Sequence, residues 1–346
     1  MSVKTSYFSP ETASISPQIG HAALITGATG FVGSHLADLL LAKGWQVRCT
    51  VRKSSNTRWI ADKPLQLADT DLYNADSIAA QLHDVSYIFH VAGAVKGRNQ
   101  ADFDRGNVDT TRAVLDAAVK MPAGQIKKIV IVSSLSATGP AEIGGQVNEQ
   151  TPCRPLTAYG RSKQAQEQLC AQYMDRLPIT IIRPPAIYGP RDEDILLFFK
   201  SYKKYVVPTV WHDQTLSIVH VADVVEGLYL AALSPRAIGQ TYFVSSEKSY
   251  TWHSIAEATR SGFSHKAWLL RIPNRGLLAL SVVAEQISRR LDKPLIIDRD
   301  KVREMIQASW VCSPQKAMDE LGYRQKISLE AGVSQTIDWY KKNQWL

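Results

Sequence analysis

Tyr159 and Lys163 stand four residues apart in the run Tyr159-Gly160-Arg161-Ser162-Lys163, and Ser134 ends an apolar run upstream of them. On a helix, residues four apart share a face. The lysine ammonium can then lie beneath the phenol, lower its pKa from about 10 by through-space charge and reach a neighbouring ribose. A tyrosine held in this way donates a proton near neutral pH, and a serine hydroxyl beside it can hold the oxygen that receives the proton. The spacing alone is weak. Y-x-x-x-K also describes an ordinary pair on a helix surface, and Ser134 alone fits a helix cap or turn residue.

The elements around these residues give them weight. Ala22 to Thr26 reads as a short buried strand, followed by Gly27-Ala28-Thr29-Gly30-Phe31-Val32-Gly33 and an apolar helix through Leu41. The spacing is G-x-x-G-x-x-G, not G-x-G-x-x-G, but the mechanics are shared: a tight turn and close approach of a pyrophosphate to a helix N-terminus. Gly27, Gly30, Phe31, Val32 and Gly33 are the expected contacts; a turn that merely packs helix on strand is the bland alternative. The next strand, Trp45 to Val51, ends in Arg52 and Lys53, where a cofactor without the adenosine 2′-phosphate would meet an acid. Cations suit a phosphate, so NADP(H) is favoured and NAD(H) is second, with a solvated basic loop as the other account of the pair.

Ser86 to Gly93 reads as a buried strand emptying into Ala92 and Gly93, small enough to let a backbone pass close to a cofactor, with His90 structural. A helix from about Asp104 to Lys120 carries Asn107 at its start. Lys128 to Ser134 is a further buried strand, and its terminal serines fall at the carboxyl edge of the sheet, where open α/β folds bind ligands.

Together these residues resemble the extended short-chain dehydrogenase/reductases of the NAD-dependent epimerase/dehydratase superfamily, over nearly all the chain from His21. The T-G-x-x-G-x-x-G loop is Thr26 to Gly33, the adenine-contacting pair is similar to Asp71-Leu72, and H-x-A-G is His90 to Gly93. Arg183 to Pro190 resembles the segment that passes the nicotinamide, with Pro184 and Ile187 in contacting positions. His220 to Val224, Lys316-Ala317 and Leu321-Gly322-Tyr323 are further landmarks. The resemblance implies an α/β fold: a Rossmann doubly wound parallel sheet with a smaller C-terminal substrate lobe. It implies a loose arm over 1–20, a nucleotide-binding core over 21–190, a substrate lobe over 191–346 partly interleaved with that core, and a homodimer. Ser134, Tyr159 and Lys163 become the catalytic set, the last two also touching cofactor.

Within the superfamily, dehydratases carry acids where this chain has Leu135 and Ser136. Sugar-nucleotide epimerases place Asn shortly after the arginine of the nicotinamide segment, where Pro184, Pro185 and Ala186 stand, and Asp where Arg52 stands. The tail from Asp292 to Arg303 with Trp310-Val311-Cys312 resembles the 3β-hydroxysteroid dehydrogenase and dihydroflavonol reductase branch. The implied activity is NADP(H)-dependent interconversion of a ketone and a secondary alcohol on a hydrophobic substrate. The alternative is a nucleotide-sugar 4-epimerase with tightly bound NAD. The intact Ser/Tyr/Lys set speaks against a non-enzymatic NADP(H) sensor or scaffold.

Forty basic against thirty-two acidic side chains leave a net charge of +8 in 346 residues, spread along the chain, so nucleic acid is not implied. A basic surface could attract an anionic membrane or the phosphate-rich cofactor. Cys49, Cys153, Cys170 and Cys312 show no metal spacing, and a reducing cytoplasm fits them. The first twenty residues lack the basic start and apolar core of a secretory signal. Gly276 to Ala284 is apolar but shorter than the roughly 20 residues that span a bilayer; it reads as a buried helix or, with Arg289 and Arg290, as peripheral membrane contact. Phe198, Phe199, Tyr202, Tyr205 and Trp211 crowd a candidate substrate lobe, aromatic core being the other account of them.

Overall fold

The computed structural model describes residues 21–210, 213–279, 281 and 299–346. The expected arm over 1–20, Trp211, most of the run from Leu280 to Ala284, Arg289, Arg290 and the tail residues 292–298 lie outside them.

Six strands follow one another in the first half: β1 (Ala22–Thr26), β2 (Gln46–Val51), β3 (Gln66–Asp69), β4 (Tyr87–His90), β5 (Lys128–Val132) and β6 (Ile179–Arg183). After four short strands, β7 (Ala186–Tyr188), β8 (Val206–Val210), β9 (Thr215–Leu216) and β10 (Ile218–His220), the chain re-enters the large sheet as β11 (Thr241–Phe243). The sheet order is β3-β2-β1-β4-β5-β6-β11, with every pairing parallel. Residues beyond 190 therefore belong partly to the large sheet. β4 and β6 are buried throughout because a parallel sheet is covered on both faces. Successive side chains still separate: Ile25, Phe89 and Val130 join α1 (Phe31–Ala42) and α7 (Val221–Leu233) on one face. Leu24, Ile88, Ile129 and Ile131 join α4 (Thr110–Val119) and α5 (Ala158–Ala171) on the other. The strand order reverses between β1 and β4, which opens a crevice at their carboxyl ends.

The helix expected to begin near Asp104 begins earlier. Asn99 accepts a hydrogen bond from the Asp102 amide and starts α3 (Gln100–Asp104), a π turn follows over Arg105–Asp109, and α4 continues from it. The cap overrides the apolar pattern, and the widened turn carries the buried Asn107.

The remaining strands, β12 (Tyr250–Thr251), β13 (Trp268–Ile272) and β14 (Ser309–Trp310), build small sheets with β9 and β8. The intervening helices are α2 (Ala75–Ala79), α6 (Leu196–Lys203), α8 (Trp252–Arg260), α9 (Arg299–Met305), α10 (Gln315–Leu321) and α11 (Leu329–Lys342). Phe199 and Tyr202 are buried, and Phe198 packs on Trp252 with ring centroids 5.8 Å apart, so these crowded aromatics are core. Asp223, in the landmark after His220, accepts from the Lys326 and Ile327 amides at 2.9 and 3.2 Å and ties the last connection to α7.

One ion pair clamps the elements that meet at the crevice. Arg183, at the end of β6, donates to Glu167 of α5 from Nε at 2.8 Å and Nη2 at 2.5 Å, with both side chains below 10% exposed. Ser133, at the end of β5, donates to the same carboxylate at 2.5 Å. Removing one partner of such a pair strands a charge away from water, which costs about 3–5 kcal/mol. Glu167→Ala is expected to lower the unfolding free energy by that amount, and Glu167→Gln, which keeps shape and one acceptor, by less. Urea denaturation measures both, and an Ala variant within about 1 kcal/mol of the parent denies the clamp its role.

Candidate active site

Ser134 lies just past β5 in extended backbone, and its Oγ accepts from the Ser136 amide at 3.1 Å, capping the 3-10 turn Leu135–Ala137. The Leu135 amide donates to Pro184 O at 2.9 Å, tying that turn to the segment after β6. Tyr159 is the second residue of α5, whose start is fixed twice: Thr157 Oγ1 accepts from the Gly160 amide, and Asp300 of α9 accepts from the Ala158 amide at 2.7 Å. The Ser134 hydroxyl that caps this turn also faces the phenol.

The electrostatics differ from the expectation that the lysine would depress the tyrosine. Burial pushes the Tyr159 phenol up to about 12, and the Ser134 hydroxyl pulls it down only in part. Lys163 is 4% exposed, and its Nζ donates to Val132 O at 2.7 Å and Gln166 Oε1 at 2.8 Å. Burial lowers it to about 8. The ammonium is thus directed toward β5 and Gln166, and the same dry surroundings that weaken it keep the phenol protonated. A protonated phenol beside a serine hydroxyl can hold a carbonyl oxygen and deliver a proton to it.

The glycine loop fits a dinucleotide. Gly27 has φ +75, and a Cβ there would stand 2.6 Å from the Ala92 amide nitrogen; on Gly33 it would stand 2.2 Å from Gly27 O. Side chains here would collide with the chain's own backbone, so the turn stays tight, and the first-turn amides of α1, unpaired within the helix, attract phosphate. Phe31 and Val32 are half-buried in that turn. A Cβ on Gly93 would meet Asn107 Oδ1 at 2.6 Å and Lys163 Nζ at 3.5 Å, so the end of β4 runs beside the lysine. Ala92 is fixed by its amide donating to Thr26 Oγ1 at 3.2 Å.

The other sequence candidates fall at different depths. Arg52 and Lys53 are exposed past β2, in a turn closed by the Arg52 amide donating to Ser55 Oγ at 2.9 Å, and neither pairs with a carboxylate among the described residues. Asp71 is exposed past β3 and accepts from the Tyr73 amide, while Leu72 packs against the core. Pro184 is buried beside the serine turn. Ile187 sits on β7, paired with Val219 and packed largely into the core.

Several residues at the site were not legible. Asn107 accepts from the Ala94 amide at 2.8 Å and donates to Ser162 Oγ at 2.8 Å, joining the π turn to α5. Gln166 continues from Lys163 to Thr111, which reaches His90 and then Thr26. His90, expected to be structural, is fully buried in this chain, and burial together with Lys163 lowers it to about 3. Glu304 of α9 lies against Ser136 Oγ at 3.4 Å and Thr157 Oγ1 at 3.2 Å, with its charge felt at Tyr159. Only its place in the sequence, 145 residues after Tyr159, hid it. No group of His, Cys, Asp and Glu among the described residues could hold a metal ion, and no helix among them is long and apolar enough to cross a membrane.

The model of the NAD dependent epimerase/dehydratase family matches residues 23–245. The chain is 30% identical over 324 residues to a ceramide reductase of Caulobacter vibrioides, covering 93% of this chain and 95% of that protein. It is 28% identical to a putative dihydroflavonol 4-reductase of Synechocystis, covering 92% and 94%. Its fold is shared with a UDP-glucuronic acid 4-epimerase of Bacillus cereus solved with NAD, at a TM-score of 0.74, 21% identity and coverage of 93% and 99%. The parallel sheet with its glycine cradle and the match across most of the chain give one conclusion: this protein belongs to the NAD dependent epimerase/dehydratase family, as an NAD(P)-dependent oxidoreductase of the extended short-chain dehydrogenase/reductase type.

Proposed function

We propose that this protein interconverts a ketone and a secondary alcohol on a hydrophobic, ring-sized or long-chain substrate with NADP(H). The observation that carries the reading is the convergence of Ser134, Tyr159 and Lys163 at the carboxyl edge of the sheet, with the phenol protonated. Bound nicotinamide would supply or accept the hydride. Gly27, Gly30, Phe31, Val32 and Gly33 would hold the pyrophosphate, Asp71 and Leu72 the adenine, Arg52 and Lys53 the 2′-phosphate, and Ala92, Gly93, Pro184 and Ile187 would line the path between. Ser134 orients the substrate oxygen, Tyr159 passes it a proton, and Lys163 orients the ribose. The four free cysteines suit a reducing compartment, and family resemblance favours a homodimer.

Three features favour an apolar substrate over a sugar nucleotide. Pro184 and Pro185 are buried where an epimerase would offer Asn, and the relatives bear the names of a ceramide and a dihydroflavonol reductase. Glu304, whose negative charge is felt at Tyr159, would repel a diphosphate.

Tyr159→Phe is expected to keep fold and cofactor affinity and to lower turnover by about 10²–10⁴-fold. Because oxidation needs the phenolate that burial disfavours, alcohol oxidation should speed up as pH rises from 7 toward 10, while ketone reduction does not. Steady-state rates in both directions measure this, and near-normal turnover by the Phe variant refutes the assignment of the proton donor.

NADPH should bind more tightly than NADH, and Arg52→Ala should narrow the gap by about 1–3 kcal/mol, the scale of a charge-assisted hydrogen bond. Calorimetry with both cofactors on both proteins decides it. Equal affinities in the parent protein return weight to an epimerase that retains NAD.

Affinity should rise along a ketone series as buried carbon increases, at about 25 cal/mol per Å², until the pocket is full. Hydrophobic ketones with NADPH, run beside UDP- and GDP-sugars, test this directly. Turnover confined to sugar nucleotides, without net change in nicotinamide absorbance, would overturn the substrate class.

A further inference from the structure

β8 and β13 form a two-stranded parallel ribbon with two unlike faces. In the register Trp268 lies beside Val206 and Leu270 beside Pro208. All four face outward: Trp268 is 80% exposed, Leu270 55% and Val206 43%, and Pro208 is exposed as well. The alternate residues Val207 and Leu269 pack inward on Tyr202, Phe198 and Phe263. Tyr205 extends the apolar face at 55% exposure, and its backbone sits at φ +67, a conformation a bulky residue adopts at a cost. Its amide donates to Tyr202 O, and its carbonyl accepts from the Trp268 amide at 2.7 Å, so the strained residue joins α6 to the ribbon.

The rim of this face is basic. Lys203 and Lys204 precede Tyr205, and Lys266, Arg271 and Arg275 flank the Trp268 strand, all exposed. Two acids answer them: Asp213 pairs with Arg271 at 2.8 Å and Glu257 approaches Lys266 at 3.9 Å. Lys203, Lys204 and Arg275 have no carboxylate partner among the described residues. Exposed aromatic and aliphatic side chains ringed by unpaired cations match the interface of an anionic bilayer, where rings sit at headgroup level and cations meet lipid phosphate. The far end of the ribbon also leads to the candidate active site. Val210 and Ile272 share a small core with Leu277, Val302 and Met305, and the same helix α9 presents Asp300 and Glu304 to the start of α5.

We propose that the outer face of the β8–β13 ribbon docks this protein on anionic membrane surfaces. Trp268, Leu270, Val206 and Tyr205 insert at headgroup depth, and Lys203, Lys204 and Arg275 meet lipid phosphate. The proposal does not rest on the substrate reading, because binding is read without substrate or cofactor.

The full chain is sedimented with vesicles of phosphatidylcholine alone and of phosphatidylcholine mixed with phosphatidylglycerol, at low and high salt. Expected is binding to the mixed vesicles that weakens with salt and is much poorer on the neutral ones. Trp268→Ser with Leu270→Ser should lower binding at least about tenfold, as should Lys203→Glu with Lys204→Glu. Ile143→Ser, at a site 87% exposed and outside the ribbon, should leave binding unchanged. Thermal midpoints confirm that each variant is folded, and a misfolded serine pair is replaced by Trp268→Gln alone. No binding to the mixed vesicles, equal binding to both vesicle types, or equal binding by parent and ribbon variants overturns the proposal. So does a dimer in light scattering that the Trp268 variant dissociates, which would make the face a contact between copies.

Discussion

The buried carboxylate of Glu167 is the constraint on which the candidate site depends. It ties three elements together: its own helix α5, the end of β5 through Ser133 and the end of β6 through Arg183. Each is one or a few residues from a proposed site residue. Ser133 precedes Ser134, Arg183 precedes Pro184, and Glu167 lies one turn beyond Lys163 and two beyond Tyr159. An ion pair away from water has few alternative partners, so its geometry is over-determined, and small displacements of either strand end are resisted. The proposed site residues inherit that precision. Lys163 adds a second tether of the same kind by donating to Val132 O, fixing helix to strand at the level of the serines.

Dryness at the site has opposite effects on its two titratable groups. Burial penalises whichever form is charged, so Tyr159 holds its proton more firmly and Lys163 more loosely than either would in water. The hydrogen-bond chain from Lys163 through Gln166 and Thr111 to His90 and Thr26 meets part of this cost by giving each buried polar atom a partner. It also connects the lysine to the end of β1, where the glycine loop begins. The cradle and the buried Lys163 are thereby parts of one polar network.

What the sequence made legible was local. Strands such as Lys128–Val132 are short apolar runs, and the glycine loop is a turn whose spacing is contiguous in the chain, so periodicity and motif suffice for them. The candidate set was found for the same reason: Tyr159 and Lys163 are one turn apart, and Ser134 ends a strand. Contacts across long sequence separations were not legible. Nothing in the run around Asn107 shows that a π turn would aim it at Ser162, and nothing near Asp300 or Glu304 shows that α9 folds back over α5. The early start of α3 at Gln100 turned on one side-chain cap, which outweighs apolar spacing at a helix end. The expected lysine-to-tyrosine charge effect failed because solvent exclusion acts on both groups at once, a tertiary property that spacing does not encode.

The position of α9 connects these layers. Its inward residue Val302 is fully buried against Val210 and Leu277, while Asp300 and Glu304 on the same short helix reach the start of α5 and the space over Tyr159. The helix is therefore held on one side by apolar contact with the ribbon region and on the other by hydrogen bonds at the start of α5. α9 thus joins the ribbon region to the start of α5 by contacts that do not include the clamp at Glu167. Two separate attachments therefore position the candidate site, a buried ion pair at the strand ends and an apolar contact behind α9.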